Sequence, residues 1–250
     1  NPKYSQAFFN LGNALNSIGE TSEAINCFHN ATKLNPNYIK AHNNLGFLLS
    51  KIGKLIEAEK SYRKVIILSP NYLYAHNNLG NVLQDQNRFE ESVKCYEQAI
   101  AISPDYAEAY FNMGYSLKEL GKIEESITSY KKAISLKPDY SDAFNNLGLA
   151  FEELGRLVDA KHSYRQAISS NPKNFYAHNN LGGILKSMGQ IDEAKSYFTK
   201  AIEINPDFAN AYYNLSAIKK FKEKDKHFTK MHELYINQNL PEKENCLINY

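Results

Sequence analysis

Apolar and small residues recur along the chain in blocks of 34. In the block beginning at Ser141, Phe144, Leu147, Gly148 and Phe151 stand at positions 4, 7, 8 and 11, a spacing that gathers them on one face of a helix. A second apolar set falls at positions 17, 20, 24, 27, 28 and 30, as Leu55, Ala58, Tyr62, Val65, Ile66 and Leu68 do in the block beginning at Ile39. Each block therefore predicts two helices. Between them sits Gly19, Gly53, Gly121, Gly155 or Gly189, able to take the left-handed turn that ends a helix, with Asn87 in the same place in the third block.

Prolines at 36, 70, 104, 138, 172 and 206 terminate the second helices, and Pro2 continues the same spacing. The units begin at Ser5, Ile39, Leu73, Ala107, Ser141, Phe175 and Ala209 and align without a gap through Pro206. A glycine inside each of the first six first helices, Gly12 to Gly182, costs about 1 kcal/mol against alanine, so close helix approach is expected there. Unit one carries Phe8, Leu11, Gly12, Leu15, Ala24, Phe28, Ala31 and Pro36, and unit five repeats that set. With these residues the chain resembles the tetratricopeptide repeat family over almost its whole length.

One unit cannot bury its apolar face alone, so the units must stack. The expected fold is all-α: a right-handed superhelical solenoid of antiparallel helix pairs, about seven 34-residue units plus C-terminal helices, with a concave surface made mainly by the first helices. Residues 1–4 read as the end of a preceding repeat, as in a chain that begins inside a longer array, and 5–208 as six regular units. Residues 209–240 read as a degenerate seventh unit and closing helix. Ser216 and Lys219 replace the usual glycine and apolar residue there, and Phe228, Met231, Leu234 and Tyr235 give one apolar face after a basic run. Residues 241–250, from Pro241, read as the start of a further helix cut short at Tyr250.

Composition narrows the function. Over 250 residues, 29 Lys+Arg against 27 Asp+Glu leave a net charge of +2, too little to hold nucleic acid or a membrane surface by field. No apolar run approaches membrane-spanning length and no signal peptide opens the chain, which reads as soluble and cytoplasmic. Cys27, Cys95 and Cys246 form no Cys-x-x-Cys pair, so packed reduced thiols are expected, not a disulfide framework. No residues fall at metal-ligand or catalytic spacing, and no cofactor or metal is expected. His42, His76 and His178 share position 4 with Phe8, Tyr110, Phe144 and Tyr212, so they read as packed rings.

The sharpest functional signal is position 6: Asn10, Asn44, Asn78, Asn112, Asn146, Asn180 and Asn214, asparagine in all seven units. It lies about 200° from position 4 around the helix, away from the core. Asn43, Asn77, Asn145 and Asn179 add asparagines at position 5. Asparagine costs about 0.5 kcal/mol each in a helix interior, so the ladder needs a role. Two readings stand. The amides bind the backbone of an extended peptide in the concave groove, one rung at about 10 Å serving about three residues. Alternatively, they tie neighbouring repeats together. The residues at positions 5, 9 and 12 vary around the ladder, as a specificity layer requires.

Such a ladder resembles the repeat arm of O-linked N-acetylglucosamine transferases, in which the asparagines hold substrate backbone, and the lysine-rich closing region resembles the junction in bacterial tetratricopeptide sulfotransferases. Neither catalytic domain is present. The expected function is a non-enzymatic scaffold for a protein or peptide segment; the alternatives are a substrate-recruiting arm of a larger transferase and a repeat that self-associates through its ends.

Overall fold

The computed structural model describes residues 2–219 and 226–237, and all regular structure among them is helical. The helices alternate as first and second members of hairpins: α1 (Pro2–Ser17) with α2 (Thr21–Leu34), α3 (Ile39–Lys51) with α4 (Leu55–Leu68), α5 (Leu73–Asp85) with α6 (Phe89–Ile102), and α7 (Ala107–Glu119) with α8 (Ile123–Leu136). Then come α9 (Ser141–Glu153) with α10 (Leu157–Ser170), α11 (Phe175–Ser187) with α12 (Ile191–Ile204), the short α13 (Ala209–Ser216), and α14 (Lys226–Asn237). Two compact units contain them, Asn1–Leu136 with α1 to α8 and Lys137–Tyr250 with the rest. From α3 to α13 every helix start falls where the 34-residue register places it. α1 instead begins at Pro2, whose fixed φ and missing N–H suit a helix first turn.

The turn between hairpin helices closes in the same way each time. In the third repeat Asn87 takes φ +58°, its N–H donates to Gln84 O at 2.9 Å, and Arg88 N–H reaches back to Leu83 O at 2.8 Å. These are the two bonds of a left-handed helix terminus, and elsewhere a glycine supplies that conformation. Second helices stop at an extended residue that precedes a proline: Asn171 has φ −141°, donates to Ala167 O, and accepts the Lys173 N–H through its own side chain at 3.0 Å.

The glycine within the first helix is where the second helix drives in a ring. A Cβ on Gly80 would lie 2.5 Å from Tyr96 Cε1, and Tyr96 has no exposed surface. The same meeting recurs at position 8 through Gly182 and Phe198. Alanines beside these rings, such as Ala75 and Ala99, are fully buried, which lets the helices close to this distance. In the first unit one apolar cluster runs without a break from Ala24 through Leu45 and Tyr62 to Leu83, so successive hairpins share a core. Leu11 departs from expectation. Its equivalents Leu45, Leu79, Leu147, Leu181 and Leu215 are buried, whereas Leu11 is 50% exposed, because position 7 packs on a preceding hairpin and none of the described residues forms one against α1.

The position-4 histidines are packed rings with one polar task. Nε2 of His42, His76 and His178 lies 3.0, 2.7 and 3.0 Å from the carbonyl of Pro36, Pro70 and Pro172, and the Tyr212 hydroxyl donates to Pro206 O at 3.1 Å in the same way. In these four repeats position 4 thus ties the first helix to the proline turn that precedes it. Burial pushes the Cys95 thiol up to about 11 and raises that of Cys27, which fits packed, unreactive thiols. α14 contacts α13, burying Leu234 and bringing the His227 ring 6.2 Å from Tyr212. Cys246 and the expected helix from Pro241 lie outside the described residues.

Candidate functional site

Within the first unit α3, α5 and α7 pack on one another as well as on the second helices between them, and in the second unit α9, α11 and α13 do the same. Successive second helices approach one another less. The first helices therefore crowd together on one side of each unit, and positions 2, 6, 9 and 13 point outward from that side.

The position-6 amides stand on this face and most are bonded to the repeat before them. Asn44 Nδ2 donates to Asn13 Oδ1 at 2.9 Å, and Asn112 Nδ2 to both Asn81 Oδ1 at 3.0 Å and Asn77 Oδ1 at 3.3 Å. In the second unit Asn180 donates to Asn145 and Asn214 to Asn179, each at 3.0 Å. Asn78 hydrogen-bonds the Tyr62 hydroxyl of the preceding hairpin. Asn146 Nδ2 donates to Asp142 O one turn back at 2.9 Å, and Asn10 Oδ1 accepts from Gln6 at 2.8 Å.

The two sets of asparagines separate by burial. Position 5 is inside: Asn77, Asn145 and Asn179 are 4%, 8% and 8% exposed and act as acceptors for the next repeat's position-6 amide. Asn43 is half-buried, with its Nδ2 3.5 Å from Asn44 Oδ1 and its Oδ1 without a hydrogen-bond partner. Position 6 is half-buried from Asn44 onward and exposed at Asn10. An inter-repeat bond uses one N–H of a carboxamide that has two, and leaves lone pairs on its oxygen. An amide held by one such bond still presents a donor and an acceptor outward, whereas Asn112, which donates to both Asn77 and Asn81, presents its oxygen alone.

The sequence reading grouped positions 5 and 6 together and left out the position-9 acceptors Asn13 and Asn81. Their separation of 31 residues from the donors, against 35 for the position-5 acceptors, is the signal, since helix neighbours across a stacking interface differ by one repeat less three or plus one. Aromatic rings border the same face. Tyr74, 56% exposed, meets Tyr72 and Tyr106 edge-on at 6.2 Å, and Tyr176, 53% exposed, lies 5.3 Å from Phe208.

The second helices of the first unit carry a network of charges that crosses between repeats. Glu59 lies 2.7 Å from Arg88 and 2.7 Å from Arg63, and Gln86 donates to it at 3.3 Å. Burial alone pushes the Glu59 carboxyl up, but the bonds from Arg63, Arg88 and Gln86 outweigh it and hold the group below the usual carboxylate range. The second and third repeats are thus stitched together at their border. Among the described residues no three His, Cys, Asp or Glu side chains gather as a metal site, and no helix is long and apolar enough to cross a membrane.

Sequence profiles of the TPR repeat match residues 12–53, 81–121 and 114–155, and profiles of the tetratricopeptide repeat match 39–72, 141–174 and 175–208. No curated protein matches the chain. Among solved structures, MamA is 26% identical, covering 65% of this chain and 95% of its own, with a TM-score of 0.62. YrrB, described as a TPR protein with an unusual peptide-binding site, is 22% identical over 74% of this chain and 95% of its own, with a TM-score of 0.57. PilF of Pseudomonas aeruginosa is 20% identical over 87% of this chain and 98% of its own, with a TM-score of 0.72.

Proposed function

The chain belongs to the tetratricopeptide repeat family, whose stacked hairpins serve as protein-interaction scaffolds, and from that premise we propose that the first-helix face of each compact unit binds an extended segment of a partner protein through its position-6 amides. Asn44, Asn78 and Asn112 make the direct contacts in the first unit and Asn146, Asn180 and Asn214 in the second, and the buried Asn77, Asn145 and Asn179 fix the orientation of Asn112, Asn180 and Asn214. The observation that carries this reading is the amide pairing itself. A carboxamide pinned by Nδ2, as Asn112 is by Asn77 and Asn81, loses little rotamer freedom when it binds a ligand, so more of each bond appears as affinity.

The proposal differs from a purely structural ladder in one measurable way. Short random peptides displayed on phage are selected against the chain, and the selected peptides are measured on Asn112→Ala and on the double variant Asn77→Ala, Asn81→Ala. Both lose the inter-repeat bonds, so both lose stability. If Asn112 touches the ligand, Asn112→Ala weakens peptide binding by about tenfold more than the double variant. Equal affinities for the two variants, or a selection that enriches no peptide, would refute it.

A further inference from the structure

We propose that Gly183 is a built notch in the first-helix face that receives an acidic side chain of the bound segment; the inference rests on the peptide-binding reading above. Six of the chain's glycines lie against a ring of the neighbouring helix and five others take positive φ. Gly183 does neither. It sits inside α11 with an ordinary helical backbone, and nothing lies within 4 Å of where its Cβ would be.

The neighbouring repeats say what the missing side chain would have done. Gly183 occupies position 9, held in unit one by Asn13 and in unit three by Asn81. There the position-9 oxygen accepts from the position-6 amide of the next repeat, Asn44 at 2.9 Å and Asn112 at 3.0 Å. By the same register Gly183 faces Asn214, which donates to Asn179 at 3.0 Å and has a second N–H with no position-9 oxygen to receive it. An oxygen brought by the ligand fills that place.

Charge selects a carboxylate over a neutral amide. Lys186 follows one turn later on the side of α11 next to the notch, and its ammonium makes no ion pair among the described residues. An Asp or Glu side chain entering the notch accepts from Asn214 and pairs with Lys186, whereas a basic side chain meets like charge. The exposed Tyr176 ring, two turns toward the N-terminus of α11, borders the same path.

The test uses the full chain and peptides selected on it from the random phage library. Gly183→Asn supplies the side chain that Asn81 supplies elsewhere, and because the space is open it unfolds at or above the temperature of the unchanged chain, so lost binding is not lost folding. The selected peptides are expected to share an acidic residue. Changing it to Asn or Gln weakens binding about tenfold on the unchanged chain and little on Gly183→Asn, and Gly183→Asn itself weakens the original peptides about tenfold. If Asn180→Ala, on the same helix, weakens binding but Gly183→Asn does not, or if no acidic residue is shared, the notch is overturned while the groove reading stands. If neither substitution matters, or no peptide is enriched, both fall.

Discussion

Replacing Gly80 by alanine places a Cβ 2.5 Å from Tyr96 Cε1, 2.8 Å from Cζ and 2.9 Å from Cδ1. An ordinary carbon contact needs about 3.5 to 4.0 Å, so the ring must retreat by about 1 Å. It has nowhere to go. Tyr96 has no exposed surface, and its hydroxyl lies 2.8 Å from Asn81 Oδ1 and 3.1 Å from Gln84 Oε1, bonds that a sliding ring breaks. Overpacking costs about 1 to 3 kcal/mol, and a pinned ring belongs at the upper end. Against it stands the helix-propensity gain of alanine over glycine, about 1 kcal/mol. The net is a loss of about 2 kcal/mol. Gly183→Ala is the internal control: it gains the same propensity with nothing in the way, so it stabilises by up to about 1 kcal/mol. Thermal unfolding followed by far-UV circular dichroism separates the two, and urea titration gives the free energies. Gly80→Ala as stable as the unchanged chain, or Gly183→Ala no better than Gly80→Ala, would refute the assignment of the position-8 glycines to ring packing.

Three further outcomes follow from single contacts. Burial holds the His178 and His42 imidazoles below their usual pKa of about 6.5, so their share of stability is complete above that pH and is lost as pH falls through the lower folded value. His178→Tyr, which offers Pro172 a hydroxyl as Tyr212 offers Pro206, therefore flattens the decline in stability below about pH 6.5, as read by urea midpoints across pH. Glu59→Gln keeps the shape but removes the charge that holds Arg63 and Arg88 and costs about 1 kcal/mol in urea unfolding. Asn87→Val forces a β-branched residue to φ +58° and costs about 1 to 2 kcal/mol, while Asn87→Gly does not destabilise.

Much of the fold was legible in the chain because the repeat writes each feature several times. Six positive-φ turns follow from five glycines and one asparagine, and six ring contacts from six glycines each paired with Phe or Tyr at position 24. Leu11 was misjudged since its burial depends on a neighbouring hairpin and not on its own helix. The candidate site was legible in part. Position 6 stands out by its repetition, but the division of labour between Asn112 on the face and Asn77 beneath it depends on which side of the helix meets the next repeat, a tertiary fact. Gly183 was one variable residue among seven at position 9. Only the open space around it distinguishes it from Gly182, its neighbour in sequence, which packs against Phe198.

The central claim is that the position-6 amides hold the backbone of an extended segment, with Asn214 beside the Gly183 notch the one that also receives a side chain. The direct measurement is an N-methyl scan of a selected peptide, in which each backbone N–H is blocked in turn and the affinity for the chain is recorded. With rungs at about 10 Å and about 3.3 Å per extended residue, affinity should drop by about tenfold at every third position or so. Methylation tolerated at every position would contradict the account.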